Sequence, residues 1–190
     1  LNRCSYMKNL KNLTVIIVTY KTPKKIIENC IKSINKNVKV LIIENSKKFI
    51  YQNYIKKKFP RVKIVNSGKN LGYGKGNNLG LKIAKTDYAL ILNPDIICHK
   101  KFFKNLSNIL NQRINFHIMG CQYLKDKFFM PAGYFNHEKN NRFKEEFYKN
   151  KINSLKKVEW VTGCSMLINL KKFKKKNIFD KNFFLYFEEF

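Results

Sequence analysis

Acidic side chains are scarce in this chain, so the few that follow apolar runs carry the most chemical information. Only 12 of 190 residues are Asp or Glu, against 39 Lys and Arg. Glu44 directly follows the apolar run 38–43. Asp95 closes Leu92-Asn93-Pro94-Asp95, and Glu188 and Glu189 follow Phe183-Phe184-Leu185-Tyr186-Phe187. A carboxylate at the rim of a buried strand meets a ligand or a cation. Mg2+ or Mn2+ takes oxygen ligands and often binds through one or two carboxylates plus phosphate oxygens. Asp95 suits that task beside a diphosphate, whose bond to a sugar breaks more easily once its charge is neutralised. Asn93, two residues earlier, can add an amide oxygen or a water-mediated contact. Two competing roles stay open: Asp95 as N-cap of the next helix, and Glu188-Glu189 as a solvated helix start.

A second constellation is Ser67-Gly68-Lys69-Asn70-Leu71-Gly72-Tyr73-Gly74-Lys75-Gly76-Asn77-Asn78, with four glycines in nine residues. Such density means unusual backbone angles, close approach of a ligand, or only a tight turn. It is not a dinucleotide fingerprint, because that motif belongs in the turn after the first strand. The turn there is Lys21-Thr22-Pro23, without glycine. No Gly-x-x-x-x-Gly-Lys-Ser/Thr occurs either. His99, His117 and His137 lack ligand-like spacing, so surface or packing roles are expected for them. Asp87 is expected to support the helix after the glycine segment, and Trp160 to be core.

The elements that must position these residues alternate through the first half. Strands are expected over 13–20, 38–43, 62–65 and 87–92, with helices over about 23–34, 50–58, 77–85 and 100–110. Pro23 opens the first helix and Pro60 stops the second. The apolar, β-branched strands read as buried on both faces. Strand–helix alternation argues for a parallel sheet with helices on both faces. Ligands bind such sheets beyond the carboxyl ends of the strands, where Thr19-Tyr20, Glu44-Asn45 and Asn93-Pro94-Asp95 fall. The second half breaks the rhythm: a strand at 116–122, a long polar loop over 131–157, then the strand-like 158–161 ahead of 162–168.

Composition sets the outer limits. Hydrophobic residues at 44% exclude a disordered chain, and 190 residues suit one domain. The net charge of +27 points to an anionic substrate or surface. The lysines are spread throughout and form no aromatic-basic stripe, so nucleic acid is not expected as a partner; such a role would require steeply salt-dependent binding. Five cysteines without a Cys-x-x-Cys pair argue against a disulfide framework or zinc site and for buried thiols in a reducing compartment. No apolar run approaches the roughly 18 residues of a membrane span. The chain therefore reads as cytoplasmic, with a basic surface suited to peripheral contact at the inner membrane face.

Taken together, the motifs resemble the family 2 glycosyltransferases with the GT-A fold, nearest to rhamnosyltransferase-like members. The resemblance spans about 13–190. It rests on Val15-Ile16-Ile17-Val18-Thr19-Tyr20, Ile43-Glu44-Asn45-Ser46, Asn70-x-Gly72-Tyr73-Gly74-x-Gly76-Asn77-Asn78-x-Gly80, Leu92-Asn93-Pro94-Asp95, Trp160-Val161-x-Gly163-Cys164-x-Met166-Leu167-Ile168 and Phe183-Phe184-Leu185-Tyr186-Phe187-Glu188-Glu189. It implies a mostly parallel α/β sheet flanked by helices, with a Rossmann-like nucleotide-binding half (13–122) and an acceptor-side half (123–190).

It also implies a metal-dependent inverting enzyme that moves a sugar from a nucleoside-diphosphate donor, dTDP-rhamnose or a UDP-sugar, to a glycan or lipid-linked acceptor in polysaccharide biosynthesis. By the resemblance, Thr19, Tyr20, Glu44, Asn70, Gly72, Gly74, Asn77, Asn93 and Asp95 bind the nucleotide sugar. Glu44 stands where the family usually has Asp. Asp95 holds Mg2+ or Mn2+ as the last position of an Asp-x-Asp signature, with Asn93 in place of the first. Trp160, Gly163, Cys164 and Glu188 belong to the acceptor side. Glu189 matches the general base, a role worth about 10²–10⁴-fold. The family normally continues beyond Glu189, so a single domain truncated at its C-terminus is expected. The alternative is a non-catalytic nucleotide-sugar-binding module.

Overall fold

The computed structural model describes residues 10–125, 128–130, 132–134 and 155–184. The first half alternates as expected. β1 (Leu13–Thr19), β2 (Lys39–Glu44), β3 (Val62–Asn66) and β4 (Tyr88–Leu92) are separated by α1 (Lys24–Ser33), α2 (Gln52–Lys58) and α3 (Tyr73–Ile83), and α4 (Phe102–Asn111) follows. The later strands are β5 (Ile118–Gly120), β6 (Tyr123–Lys125), β7 (Phe128–Met130), β8 (Gly133–Tyr134), β9 (Trp160–Val161) and β10 (Ser165–Asn169).

The main sheet runs β3-β2-β1-β4-β10-β5. The first four strands are parallel, with Thr19 opposite Glu44 and Ile16 opposite Leu41 and Ile91. β10 enters antiparallel to both β4 and β5, so the sheet is mixed. The segment 162–168 thus ends in a strand that periodicity alone did not separate from its motif.

Each strand divides its side chains between two apolar layers. Val15, Ile17, Val40, Ile42, Leu90 and Leu92 pack with Ile27 and Ile31 of α1, Ile55 of α2 and Phe103, Leu106 and Leu110 of α4. Ile16, Leu41, Ile43, Ala89 and Ile91 face the other way, with Leu81 of α3 and Met166 and Ile168 of β10. Each such Ile or Leu, fully withdrawn from water, contributes about 1.5–3 kcal/mol relative to an exposed one.

Two expectations need correction. The helix after the glycine segment begins at Tyr73, not Asn77, so Gly74, Gly76 and Asn77 are helical. The reason is packing. A Cβ on Gly76 would lie 2.9 Å from Val18, and one on Gly80 2.5 Å from Ile16, so these glycines let α3 lie flat on β1 despite their poor helix propensity. Asp87 does not support that helix. Its carboxylate accepts from Asn12 Nδ2 at 2.6 Å and pairs with Lys171 at 2.9 Å, tying β4 to the segment after β10.

Candidate functional site

The chain crosses from β1 to β2 on one side and from β3 to β4 on the other, which leaves a switch point between β1 and β4 at the carboxyl edge of the sheet. Thr19, Glu44 and Asn93 end adjacent or next-adjacent strands there. Two strand spacings, about 10 Å, separate the end of β2 from the end of β4.

At the β1–β2 end the polar groups are locked. Thr19 donates its hydroxyl to Glu44 Oε2 at 2.6 Å, and both residues are 1% exposed. Parallel register brings them face to face. Glu44 forms the floor of a recess of about 590 Å³, with Tyr20, Lys21, Lys47, Tyr51 and Asn70 among its walls. Tyr20 is 46% exposed at the mouth. Asn70 accepts from the Gly72 amide at 3.0 Å, closing the turn that leads into α3.

Gly72 is confined twice over. Its φ is +79°, and a Cβ would fall 2.2 Å from the carbonyl oxygen of Phe184. That carbonyl accepts from the Tyr73 amide at 3.1 Å. Asn77 is fully buried and donates to the Tyr73 carbonyl at 3.2 Å, so it braces α3 from inside and is absent from the recess wall. Gly74 is buried in the first turn of the helix.

At the β4 end the geometry is open. Asn93 donates its amide to the Cys164 carbonyl at 3.0 Å, and its own carbonyl accepts from the Ile96 amide at 3.2 Å. Asp95 is exposed in the turn that follows. The helix N-cap is Lys101, at the start of α4, which removes the capping role for Asp95. Among the described residues no hydrogen bond or ion pair engages its carboxylate. Its field still reaches neighbouring sulfur. Burial pushes the Cys30 thiol up to about 12, with Cys98 and then Asp95 adding to it. Burial likewise raises Cys164, and Asp95 adds a smaller share. Cys98 and Cys121 are pushed up to about 11 by burial, so these thiols are protonated and inert near neutrality.

The described residues include no group of three His, Cys, Asp or Glu side chains able to hold a metal. Among the described residues Asp95 would act as a single carboxylate ligand, with phosphate oxygens and water adding to the shell, a pattern usual for Mg2+.

The flank opposite the recess is brought in by β10. Gly163 and Cys164 lie in the turn before it, next to Asn93. The Tyr73 hydroxyl donates a short hydrogen bond to the Gly163 carbonyl, and a Cβ on Gly163 would lie 3.0 Å from that hydroxyl. Trp160 is half-buried in the β8–β9 pair, opposite Tyr134. Glu188 and Glu189 lie outside the described residues.

Three residues without an assigned role turn out to hold the site together. Asn45 is 1% exposed; its amide donates to the Thr19 carbonyl at 2.7 Å and its side chain to the Gly72 carbonyl at 2.8 Å. Its Oδ1 is buried without a partner. Asn78 donates to the Phe179 carbonyl at 2.7 Å and accepts from the Ile178 and Phe179 amides at 2.9 and 3.1 Å. Tyr73 is the third. The available signal was a polar residue where the burial pattern leaves no solvent: Asn45 directly follows a buried strand, and Asn78 stands between Asn77 and Leu79 in a helix of high glycine content.

The comparisons with known proteins agree with this architecture. The chain is 25% identical over 197 residues to the low-salt glycan biosynthesis hexosyltransferase Agl10 of Haloferax volcanii, an alignment covering 99% of this chain and 62% of that protein. It is 24% identical over 188 residues to the rhamnosyltransferase WbbL of Escherichia coli, covering 87% of this chain and 68% of that one. The chain thus spans about two thirds of the length of these relatives.

Among solved structures, it is similar to the mannosyltransferase PcManGT of Pyrobaculum calidifontis, in complex with GDP-Man and Mn2+, with a TM-score of 0.60 and 16% identity over 90% of this chain and 48% of that one. It is equally similar to S. aureus TarS 1-349, with a TM-score of 0.59 and 16% identity over 94% and 52%. The six-stranded sheet flanked by helices is the GT-A fold these structures share. Residues 14–176 match the model of glycosyl transferase family 2, and the chain belongs to that family.

Proposed function

We propose that this chain binds a nucleoside-diphosphate sugar across the carboxyl ends of β1, β2 and β4 and transfers the sugar, with inversion, to a hydroxyl of a glycan or lipid-linked acceptor. One observation carries the reading. A closed polar floor, Thr19 with Glu44, and a carboxylate unengaged among the described residues, Asp95, share one rim, on strands whose ends stand two spacings, about 10 Å, apart. The nucleoside enters the recess over Glu44, between Tyr20 and Tyr51, with Asn70 at its edge. The diphosphate reaches toward Asp95. Mg2+ or Mn2+ bound there would neutralise the leaving diphosphate, worth several kcal/mol of charge stabilisation. Mn2+ accompanies GDP-Man in the similar mannosyltransferase.

On the other side the turn at Gly163–Cys164 and Trp160 border the acceptor, and the motif assigns the base to Glu189, beside Glu188. The acceptor oxygen attacks the anomeric carbon as its proton passes to that carboxylate, and the sugar–phosphate bond breaks. A hexosyl or rhamnosyl group is the favoured cargo, since the relatives are named hexosyltransferase and rhamnosyltransferase. A lipid-linked acceptor would bring the protein into peripheral contact with a membrane surface, to which the excess of lysines is suited.

Thermal shift with UDP, dTDP and GDP, each with and without Mn2+, tests the donor site and ranks the bases. The expected result is a stabilisation that needs both nucleotide and Mn2+ and disappears in Asp95→Ala. Turnover of the matching donor should fall about a hundredfold in that variant. Metal-dependent binding and turnover that survive Asp95→Ala unchanged would overturn the assignment.

A further inference from the structure

The side of α3 turned away from the sheet has no place in the donor reading. Lys75, Asn78, Leu79 and Lys82 recur at i, i+3, i+4 and i+7, so they form one stripe, while Gly76, Gly80 and Leu81 take the sheet side. Along that stripe runs the segment after β10. It carries six lysines between Lys171 and Asn182, against one acid, Asp180. Two of the six are committed: Lys171 pairs with Asp87, and Lys176 donates to the Ala84 carbonyl at 2.9 Å. Lys172, Lys174, Lys175 and Lys181 are exposed.

Between the stripe and the segment lies a recess of about 560 Å³. Lys75, Lys82 and Lys181 stand on its walls with Leu71 and Leu79. None of the three ammonium groups makes an ion pair among the described residues. Asp180 also lines the recess, where its Oδ1 accepts from the Asn182 amide at 2.8 Å. At the end of α3 nearest Leu71, Phe184 packs on Gly72, and Phe183 and Phe184 are 43% and 56% exposed. Lysines without an ion pair among the described residues, around a recess whose apolar walls are Leu71, Leu79 and Phe179, with two exposed phenylalanines at its edge, match an anionic lipid surface in charge and polarity. Sequence-tolerant binding of single-stranded nucleic acid would instead call for exposed aromatic platforms inside a basic groove; the aromatic residue lining this recess, Phe179, is 3% exposed and offers no open face.

We propose that this face docks on an anionic bilayer, with a lipid phosphate seated among Lys75, Lys82 and Lys181 and the Phe183–Phe184 edge resting against the interface. The docking face names where the peripheral contact of the preceding reading occurs, and it rests on that reading for nothing else. It sits beside α3, off the strand ends that carry Glu44 and Asp95, so the donor recess stays open to solution while the protein is docked.

Cosedimentation of the full chain with vesicles, without nucleotide or metal, tests the proposal. Phosphatidylcholine vesicles doped with phosphatidylglycerol should pull the protein down, and phosphatidylcholine alone should not. Binding should weaken as salt shortens the Debye length. The triple variant Lys75→Gln, Lys82→Gln, Lys181→Gln should lose about fivefold per lysine, or about a hundredfold in partitioning, with an unchanged melting temperature. A control with the same charge removed from exposed positions elsewhere, Lys36→Gln, Lys56→Gln, Lys63→Gln, should lose far less. Equal losses in the two variants would mean diffuse attraction and would overturn the site. So would equal binding to neutral vesicles, no binding to either, or a triple variant that loses affinity for single-stranded RNA but none for vesicles. Because no donor is present, failure here leaves the nucleotide-sugar reading standing, and failure of the thermal-shift test leaves this one standing.

Discussion

The parallel half of the sheet and the antiparallel flank are both fastened to α3, by different means. Against β1 the helix presents glycines, and contact is van der Waals at a separation no Cβ would permit. Against the flank it adds polar bonds to the packing of Leu81 with Met166, Ile168 and Phe179: Tyr73 to Gly163 and Phe184, Asn78 to Ile178 and Phe179, and the Ala84 carbonyl to Lys176. Close packing at full burial opens only with the whole core. The Tyr73–Gly163 bond, at a half-buried turn, nets about 1 kcal/mol and can exchange with water, whereas Asn78 and Phe179 are 5% and 3% exposed. The floor at Thr19 and Glu44, proposed to take the donor, is therefore the rigid member of the pair, and the Gly163 turn, on the side proposed to face the acceptor, is the part that can release separately.

The largest break in this comparison comes from Gly72→Ala. A non-glycine residue at that positive φ costs about 1–3 kcal/mol, and the new methyl occupies the place of the Phe184 carbonyl. The expected result is a loss of about 3 kcal/mol, roughly 6–12 °C in melting temperature for a chain of this size. Hydrogen exchange locates the damage. Protection should collapse at the Tyr73 amide and along the flank while the amides of β1 and β2 keep theirs. Equal loss in the strands would show that the two regions open as one unit.

Thr19→Val probes the rigid side. It removes the donor that holds Glu44 Oε2 and leaves a carboxylate oxygen buried without it, at a cost of about 1–3 kcal/mol. Because the pair lies within the parallel sheet, the whole core should feel the loss: the urea midpoint falls with an unchanged slope, and protection drops in β1 and β2. Nucleotide affinity should fall as well, since Glu44 is the floor of the recess. A variant with full stability and weakened nucleotide binding would assign Thr19 to the ligand instead of to Glu44.

The two regions also differed in how far the sequence revealed them. In the parallel half, apolar β-branched runs such as Val15–Val18 and Leu41–Ile43 have no reading except strand, and the acids after them mark the rim. The positions of Glu44 and Asp95 at the ends of β2 and β4 were legible for that reason. The start of α3 was not, because glycine signals a loop by propensity while here it answers to tertiary packing on Val18 and Ile16. The flank was less legible still. β9 is two residues long and β10 five, and their pairing depends on β4 and β8, far away in sequence. Asn78 binds backbone a hundred residues downstream, which no local pattern encodes. Asp87 was misread because its partners, Asn12 and Lys171, also come from distant segments.

The finest test is Tyr73→Phe. It deletes one hydroxyl from the seam and keeps the ring that packs edge-on to Phe179 at 5.8 Å. The Gly163 carbonyl loses its donor, but it is half-buried and water can replace the bond, so the cost stays near 1 kcal/mol. Melting should hardly move. The separation of KM values is the informative readout. Gly163 belongs to the turn next to Cys164 and Asn93, on the side read as acceptor-binding, so KM for the acceptor should rise about fivefold while KM for the donor stays unchanged. A rise in the donor KM alone would place the Gly163 turn against the nucleotide sugar. A rise in both would mean that α3 passes the disturbance across to the recess, and that the flank and the floor are less independent than their packing implies.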